Sequence, residues 1–345
     1  MPYRILMCGA GAIGGYFGAA MIRSGLDVTL VDPWPENVER IRSVGLRIEG
    51  MGDGSNTATV ATWPLHVGDV QNLVRTDPFD VVFIAQKSYD TAWSTQLALP
   101  WLSEGGAIVS LQNSVNEPVI AALAGPERTY GCAIASLACE LVAPGVVRRL
   151  APKGSVAVGA LEGAGPWCQP LIEILSSAEQ TTATENLNGV KWSKLIVNSM
   201  RNGLSAMTGM TGRERDSDPV TVELGITLGA QAVKVGRALG YRLVDTTFDF
   251  AMLEAAADGD PAARASIRSA MTEVAAGRSA DQRPSMAQDI RKGRRTETDA
   301  INGLVARRGR ELGIDVGAHE RVNAIIKRIE RGELSPDPSL AENIA

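Results

Sequence analysis

A glycine-rich turn near the N-terminus constrains the fold of this chain more than any other feature. Its six residues are Gly9, Ala10, Gly11, Ala12, Ile13 and Gly14. An apolar run at 5–8 precedes the turn, a helix-compatible stretch follows at 16–24, and 28–31 is typical of a second strand. The first glycine of such a turn permits the sharp bend, the second lets the backbone approach a pyrophosphate, and the third lets helix and strand pack closely. In this context the turn predicts a dinucleotide site, with a plain strand-to-helix turn as the alternative.

Asp32, at the end of the second predicted strand, bears on the choice of nucleotide. A carboxylate there accepts hydrogen bonds from the adenosine ribose hydroxyls and repels a 2′-phosphate. No arginine follows directly, because the chain continues Pro33, Trp34, Pro35 and Glu36. Asp32 therefore favours NAD over NADP, with NADP kept as the alternative. The competing interpretation is that Asp32 and Pro33 simply open a turn.

Further strand-like runs at 81–85, 107–111 and 156–159 alternate in part with helix-compatible stretches at 90–99 and 116–124. This alternation predicts a mostly parallel sheet covered by helices. Lys87 and Asn113 follow two of these runs. Ligands of open α/β sheets bind beyond the carboxyl ends of the strands, so both side chains are candidates for contact with cofactor or substrate. For Lys87, a solvated loop lysine is an equally good interpretation.

The strand-like runs cease near residue 187, and the remainder is helical in pattern. We therefore predict an α/β Rossmann-type dinucleotide-binding domain at 1–187 and an all-helical C-terminal domain at 188–335 for substrate binding and dimerisation. Residues 336–345 are predicted to form a loose polar tail. The stretch 258–283 has no firm apolar period and fits either an exposed helix pair or an inserted segment. A substrate site is expected in the cleft between the two domains.

The helical domain is predicted to open with a row of polar side chains. Lys194, Asn198 and Asn202 are spaced i, i+4 and i+8, which places one ammonium and two carboxamides along one face of a helix. Leu195 and Val197 are expected to anchor that helix. By itself such a row is more often a solvated face than a ligand site.

A second polar segment, 284–303, lies between helix-like stretches. Ser285 is predicted to be a helix N-cap, with Asp289 near the first turn. Capping and surface salt bridges would be enough to explain this segment.

Composition excludes several classes of function. The chain has 345 residues, a net charge of −5 and a pI near 5.3, which argues against nucleic acid as a principal partner. Its apolar runs stay below the roughly 20 residues that span a bilayer, and the N-terminus lacks the pattern of a signal peptide. Four cysteines without a CxxC pair predict a reducing, cytoplasmic setting and no metal site. With only two histidines, histidine catalysis is not expected.

Taken together, these motifs resemble the ketopantoate reductase (2-dehydropantoate 2-reductase) family from residue 4 to about 313. The most specific part is the lysine–asparagine helix together with the late polar segment, because glycine turns occur in many dehydrogenases. The motifs that carry the resemblance are the glycine turn, Gln112 with Asn113, Trp192 to Asn198 followed by Asn202, Pro284 to Met286, Thr296 with Glu297, and Ile301 to Gly303.

The resemblance implies a Rossmann domain followed by a helical domain, a nicotinamide cofactor, a homodimer, and reduction of a 2-oxo acid to a D-type 2-hydroxy acid. The best substrate is 2-dehydropantoate, which would give D-pantoate. The implied roles are proton donation by Lys194, substrate binding by Asn113, Asn198, Asn202 and Ser285, cofactor contact by Lys87 and Asn113, and orientation of the lysine by Glu297, which also lies near the cofactor.

The chain departs from the family pattern at several positions. Asp32 stands where NADP-dependent members usually have arginine, and Ser114 stands where glycine usually follows the Gln–Asn pair. Gly212 stands where some members have a further asparagine, and Thr298 stands where isoleucine is usual. The proline-rich turn after the late helix is also missing, at 315–319. A branched or aromatic 2-oxo acid is therefore a second candidate substrate. The sequence is also compatible with an oxidoreductase for imines or 3-hydroxy compounds and with a non-catalytic nucleotide-binding regulator.

Overall fold

The structure is a computed structural model that describes residues 3–51, 56–151, 154–277 and 282–344. The chain divides into two compact units, Met1–Leu187 and Asn188–Ala345. Each unit has its own secondary-structure composition, α/β in the first and helical in the second, and they are described in turn.

The first unit alternates strands and helices. Its strands are β1 (Arg4–Cys8), β2 (Asp27–Asp32), β3 (Leu46–Met51), β4 (Asn56–Val60), β5 (Leu65–His66), β6 (Phe79–Ile84), β7 (Leu102–Ser110), β8 (Thr129–Ala135), β9 (Cys139–Ala143), β10 (Val146–Arg149), β11 (Ser155–Ala160) and β12 (Gln180–Ala183). Its α-helices are α1 (Ala12–Arg23), α2 (Pro35–Val44), α3 (Thr91–Ala98), α4 (Glu117–Ala124) and α5 (Cys168–Ser176). Short 3₁₀ helices lie at Val67–Arg75, Ser88–Asp90, Leu99–Trp101 and Pro126–Arg128.

Eight strands form the main sheet, in the order β12-β11-β8-β7-β6-β1-β2-β5. The pairs are parallel except β8 with β11. In the centre, Ile5 pairs with Val28 on one side and with Val81 on the other. The predicted mostly parallel sheet with crossover helices is therefore confirmed.

The core of this unit follows the two-residue period of its strands. In β1, Ile5 and Met7 belong to one buried apolar cluster, whereas Leu6 and Cys8 belong to a second. Successive side chains point to opposite sides of a sheet, so the two clusters show that both faces of β1 are covered. A parallel sheet buried on both faces needs continuous apolar strands, which explains why these runs were recognisable in the sequence.

A second sheet of four strands, in the order β4-β3-β10-β9, was not predicted. Its central pair joins β3 to β10 in parallel, with Val146 beside Arg47 and Val147 beside Ile48. These strands are short and rich in polar and charged residues. The central pair joins segments about a hundred residues apart, a pairing that local patterning does not reveal, whereas β3 with β4 and β9 with β10 are neighbours in the chain.

The described residues of the second unit form helices and the loops that join them, without a β-strand. Its helices are α6 (Leu187–Thr208), which starts at the unit boundary, α7 (Gly212–Ser217), α8 (Pro219–Ala238), α9 (Phe250–Ala257), α10 (Pro261–Ala276), α11 (Ser285–Arg291), α12 (Asn302–Glu311), α13 (Gly317–Glu330) and α14 (Ser339–Glu342). A 3₁₀ turn at Thr298–Ala300 precedes α12. The predicted fold class, a Rossmann-type domain followed by an all-helical domain, is thus confirmed.

The stretch 258–283, ambiguous in sequence, contributes α10. Asp260 caps this helix by accepting hydrogen bonds from the main-chain nitrogens of Ala262 and Ala263. Ile267 and Met271 are buried, and α10 packs against α7 and α9. The helix is therefore an integral layer of the unit; residues 278–281 lie outside the described part.

The prediction of a loose tail at 336–345 is wrong for its described residues. The Asp337 nitrogen donates to the Met207 oxygen at 3.1 Å, and α14 buries Ala341. Ile344 is also buried, and its carbonyl accepts a hydrogen bond from Arg321 at 3.3 Å. Two buried apolar side chains and these hydrogen bonds hold the segment against the rest of the unit. Among the described helices, none is both long and apolar enough to cross a membrane.

Candidate functional site

In the glycine turn, each glycine meets a different steric demand. Gly9 has φ +102°, and its nitrogen donates to the Val31 oxygen at 2.7 Å. A Cβ atom on Gly14 would lie 1.9 Å from the Gly9 oxygen, so only glycine lets α1 pack onto the turn. At Gly11, the N-cap of α1, a Cβ atom would meet no heavy atom of the described residues within 4 Å. The backbone there can be approached closely from outside, as a pyrophosphate at a helix N-terminus requires.

Asp32 is buried against this turn. Its Oδ2 accepts a hydrogen bond from the Ala10 nitrogen at 2.7 Å, and its Oδ1 accepts one from the Trp34 nitrogen at 3.0 Å. Burial raises the pKa of the carboxyl, and the hydrogen bonds from Trp34 and Ala10 oppose that shift. The Trp34 contact is the turn-opening bond of the competing interpretation, while the Ala10 contact ties Asp32 to the nucleotide motif. Asp32 thus has a structural role besides any contact with a ribose.

Lys87 and Asn113 lie in the loops that follow the neighbouring parallel strands β6 and β7. The buried side chain of Gln112 joins these loops, since its Nε2 donates to the Gln86 oxygen and to Thr91 Oγ1, each at 2.9 Å. Both Lys87 and Asn113 are half-buried. Gln86 also contacts the glycine turn, because a Cβ atom on Gly9 would lie 3.0 Å from the Gln86 Cγ. The three predicted cofactor segments therefore meet at one edge of the sheet.

The chain bends sharply just after Asn113. Ser114 has φ +70° and is buried. An L-residue in this left-handed region costs about 1–2 kcal/mol relative to ordinary backbone, a cost that glycine avoids. Ser114 stands where the family usually has glycine, and its backbone nevertheless adopts the left-handed conformation that favours glycine. Asn116 Nδ2 holds the same turn by donating to the Asn113 oxygen at 2.7 Å.

In the helical unit, the predicted polar row forms the one partly exposed stripe of α6 downstream of residue 190. Of the eighteen residues 191–208, all are buried except Lys194, Val197, Asn198 and Asn202. Leu195 is fully buried and anchors the helix as expected, but Val197 lies on the stripe instead. A helix buried on all other sides directs these four side chains to one surface. This surface is called the α6 stripe below.

The later polar segment differs from its prediction in one detail. Pro284 occupies the N-cap position of α11, and Ser285 is the first helical residue, exposed and without a capping bond. The prediction of Ser285 as the N-cap is therefore wrong, and its hydroxyl makes no capping hydrogen bond to α11. The chain just before α11 is anchored by a hydrogen bond from the Gly212 nitrogen to the Gln282 oxygen at 3.0 Å.

Glu297 lies at the start of the 3₁₀ turn before α12 and is buried. Its main-chain oxygen accepts hydrogen bonds from the nitrogens of Ala300 and Ile301, each at 3.0 Å. The flanking Thr296 nitrogen donates to Glu330 Oε1 on α13 at 2.6 Å. This turn is therefore held from within and by α13, which gives Glu297 a defined position.

Asn302, to which the sequence assigned no role, fastens α12 to α6. Its Nδ2 donates to the Ser199 oxygen at 3.0 Å and lies 3.1 Å from His319 Nδ1. His319 Nε2 lies 2.9 Å from the Leu228 oxygen, so the ring is the neutral tautomer with its proton on Nε2. Burial lowers the pKa of His319 to about 4, and the bond to Leu228 opposes the shift. No residue spacing predicts the structural roles of Gln112 and Asn302. Both are buried polar side chains that act through hydrogen bonds to residues distant in the sequence.

Among the described residues, no group of three or more histidine, cysteine, aspartate or glutamate side chains is arranged to hold a metal ion. The candidate groups are the glycine-turn edge in the first unit and, in the second unit, the α6 stripe, Ser285 and Glu297. They consist of backbone N–H groups, amides, hydroxyls, carboxylates and two lysines. Such groups bind phosphates and polarised carbonyls without a metal.

Comparison with known proteins agrees with this distribution of motifs. The family model described as "Ketopantoate reductase PanE/ApbA" matches residues 5–163, and "Ketopantoate reductase PanE/ApbA C terminal" matches residues 186–330. The 2-dehydropantoate 2-reductase of Halobacterium salinarum is 27% identical over 336 residues, which cover 95% of this chain and 99% of the relative.

Two solved structures extend the comparison. A PanE/ApbA family ketopantoate reductase from Ralstonia eutropha JMP134 has a TM-score of 0.77 and 28% identity, covering 96% of this chain and 99% of that one. The ternary structure of D-mandelate dehydrogenase with NADH and anilino(oxo)acetate has a TM-score of 0.80 and 22% identity, covering 95% and 99%, and shows a shared fold. The two family models together match most of the chain, which therefore belongs to the ketopantoate reductase family of oxidoreductases.

Proposed function

We propose that this protein reduces a 2-oxo acid to a 2-hydroxy acid by hydride transfer from NAD(P)H, with 2-dehydropantoate as substrate and D-pantoate as product. The observation that carries the proposal is the α6 stripe, where Lys194, Asn198 and Asn202 are the polar side chains left partly exposed along residues 191–208. Membership of the family and the activity for which its relatives are named support the same reaction.

On the substrate side, the reaction needs a proton and fixed donors. When bound, the nicotinamide cofactor supplies the hydride that forms the new C–H bond at the carbonyl carbon. The carbonyl electron pair moves to oxygen, and the Lys194 ammonium stabilises this charge and donates the proton that completes the hydroxyl. The Asn198 and Asn202 amides and the Ser285 hydroxyl would orient the carboxylate and carbonyl. Glu297 would keep the lysine oriented and charged.

On the cofactor side, the residues present fit a dinucleotide. The open space at Gly11 and the absence of acidic residues from the first turn of α1 suit a pyrophosphate. Asp32 would lie at the adenosine ribose, which favours NAD over NADP, with NADP as the alternative. Lys87 would contact the cofactor, and Asn113 both nicotinamide and substrate.

A second candidate substrate is a branched or aromatic 2-oxo acid. It is motivated by the positions at which this chain departs from the family pattern, among them Ser114 and Gly212. The decisive experiment is steady-state kinetics with NADH and NADPH against 2-dehydropantoate, 2-oxoisovalerate and phenylglyoxylate, with an imine and a 3-oxo acid as controls.

The highest kcat/KM is expected for 2-dehydropantoate with NADH. A clear preference for phenylglyoxylate would instead select the second candidate. Absence of turnover with every 2-oxo acid, despite saturable NADH binding, would contradict the proposal and favour a non-catalytic regulator. A homodimer is also proposed, and light scattering on the eluting protein would measure its mass.

A further inference from the structure

We propose that Ser114 is a positioning residue for Asn113. This inference rests on the proposed function, since it concerns the side chain that is proposed to meet nicotinamide and substrate. It starts from the backbone: among the described residues, Ser114 (φ +70°) and Ser136 (φ +55°) are the non-glycine residues with positive φ. Strained residues of this kind persist where surrounding structure over-determines them, and they are frequent at active sites.

The two serines differ in their surroundings. Ser136 is exposed in the connection between β8 and β9, where its conformation has few consequences. Ser114 is 4% exposed and lies between β7 and α4, at the carboxyl edge of the parallel sheet. Ligands of such sheets bind at this edge. Of these two described serines, only Ser114 therefore combines positive φ with burial at the sheet edge where such folds bind ligands.

Contacts on both sides hold the Ser114 bend. On its N-terminal side, Gln112 is fixed by the Gln86 oxygen and by Thr91. On its C-terminal side, Asn116 Nδ2 donates to the Asn113 oxygen at 2.7 Å and to Ser88 Oγ at 3.2 Å. The Asn113 carbonyl is thus turned towards Asn116, while the residue as a whole stays half-buried. The bend at Ser114 and the bond from Asn116 thus fix the main chain from which the Asn113 side chain departs.

A glycine at 114 would adopt this bend without strain, but it would also allow many other backbone conformations. The Cβ and hydroxyl of serine narrow that choice, and a hydroxyl this deeply buried is expected to be hydrogen-bonded. Serine therefore fixes one orientation of Asn113 at a conformational cost. Because 4% exposure leaves the serine little surface for a ligand, its effect passes through Asn113 rather than by contact with substrate.

The test compares Ser114→Gly and Ser114→Ala with Ser136→Gly as the matched control. Ser114→Gly is expected to lower kcat for the preferred 2-oxo acid about tenfold, as misoriented catalytic groups do, while NADH affinity and Tm stay near wild type. Ser114→Ala, which keeps the Cβ atom, is expected to fall between Ser114→Gly and wild type. Ser136→Gly removes the same kind of strain away from the site and should keep wild-type kcat.

Wild-type kcat and KM in Ser114→Gly would overturn the inference. If that variant did not fold, Ser114→Ala would decide, and wild-type kcat there would overturn it equally. A loss of kcat matched by an equal loss in Ser136→Gly would also overturn it. A wild-type enzyme inactive with all 2-oxo acids would remove the proposed function and this inference together, whereas an active wild type with an unaffected Ser114→Gly removes this inference alone.

Discussion

The carboxylate of Asp32 accepts a hydrogen bond from the Ala10 nitrogen at 2.7 Å, which joins the end of β2 to the glycine turn 22 residues earlier. Its other oxygen accepts from Trp34. An arginine at 32 would lose both bonds, so a test of cofactor choice by Asp32→Arg would also disturb the turn. The charge of Asp32 is better tested with a side chain of the same shape.

Asp32→Asn keeps one side-chain oxygen as acceptor and removes the negative charge. We expect the ratio of kcat/KM for NADH over NADPH to fall about tenfold, because a charged acceptor for ribose is lost and the repulsion of a 2′-phosphate is relieved. Asp27→Asn, at the exposed start of the same strand, is the control and should leave the ratio unchanged. A wild type that already prefers NADPH would contradict the assignment of Asp32.

Two alanine substitutions in the glycine turn should have opposite consequences. Gly14→Ala places a Cβ atom 1.9 Å from the Gly9 oxygen and should destabilise the fold by about 3 kcal/mol, as overpacking does. Gly11 has φ −75°, and a Cβ atom there would lie in open space, so Gly11→Ala should fold normally. Its NADH affinity should fall at least about tenfold, because the added methyl group would occupy the space proposed for the pyrophosphate. Urea unfolding and NADH fluorescence titration measure the two effects. Tight NADH binding by Gly11→Ala would place the pyrophosphate elsewhere.

Lys194→Met should abolish most turnover, with kcat reduced about 10²–10⁴-fold, because a general acid contributes on that order. NADH binding should stay within about twofold, since Lys194 is proposed to act on the substrate carbonyl. Lys234→Met removes a surface lysine that pairs with Asp258 on the same unit and serves as control. Near-normal turnover in Lys194→Met would exclude the lysine as proton donor.

Stability should depend on pH through His319. Its folded-state pKa of about 4 lies below the ordinary value of 6.5, so the unfolded chain binds the proton more readily. Below pH 6.5 the unfolded state therefore gains stability, and the fold should lose up to about 3 kcal/mol between pH 6.5 and 4 from this group. Urea unfolding at pH 7.0 and 5.0 measures the change. His319→Gln should flatten this part of the profile, and an unchanged slope in that variant would assign the effect to other groups.

Local sequence determined the features that depend on neighbouring residues. The glycine turn, the central strands and the α6 stripe follow from spacings of two to eight residues, which the periods of strand and helix translate directly into geometry. The apolar runs of β1, β6 and β7 were recognisable because a sheet buried on both faces needs unbroken apolar strands. These features were enough to indicate the fold class and the family.

Tertiary structure decided the contacts between distant residues. The bond from Asn302 to Ser199 spans 103 residues, and the second sheet joins β3 to β10, so neither leaves a periodic trace in the chain. Val197 lies on the stripe rather than in the core, because neighbouring elements determine which faces of a helix are covered. Ser285 is not a cap, because Pro284 occupies the N-cap position of α11. The sequence shows only that Ser114 stands where glycine is usual in the family. Its positive φ is a tertiary result, since a serine adopts it only when surrounding bonds hold the turn.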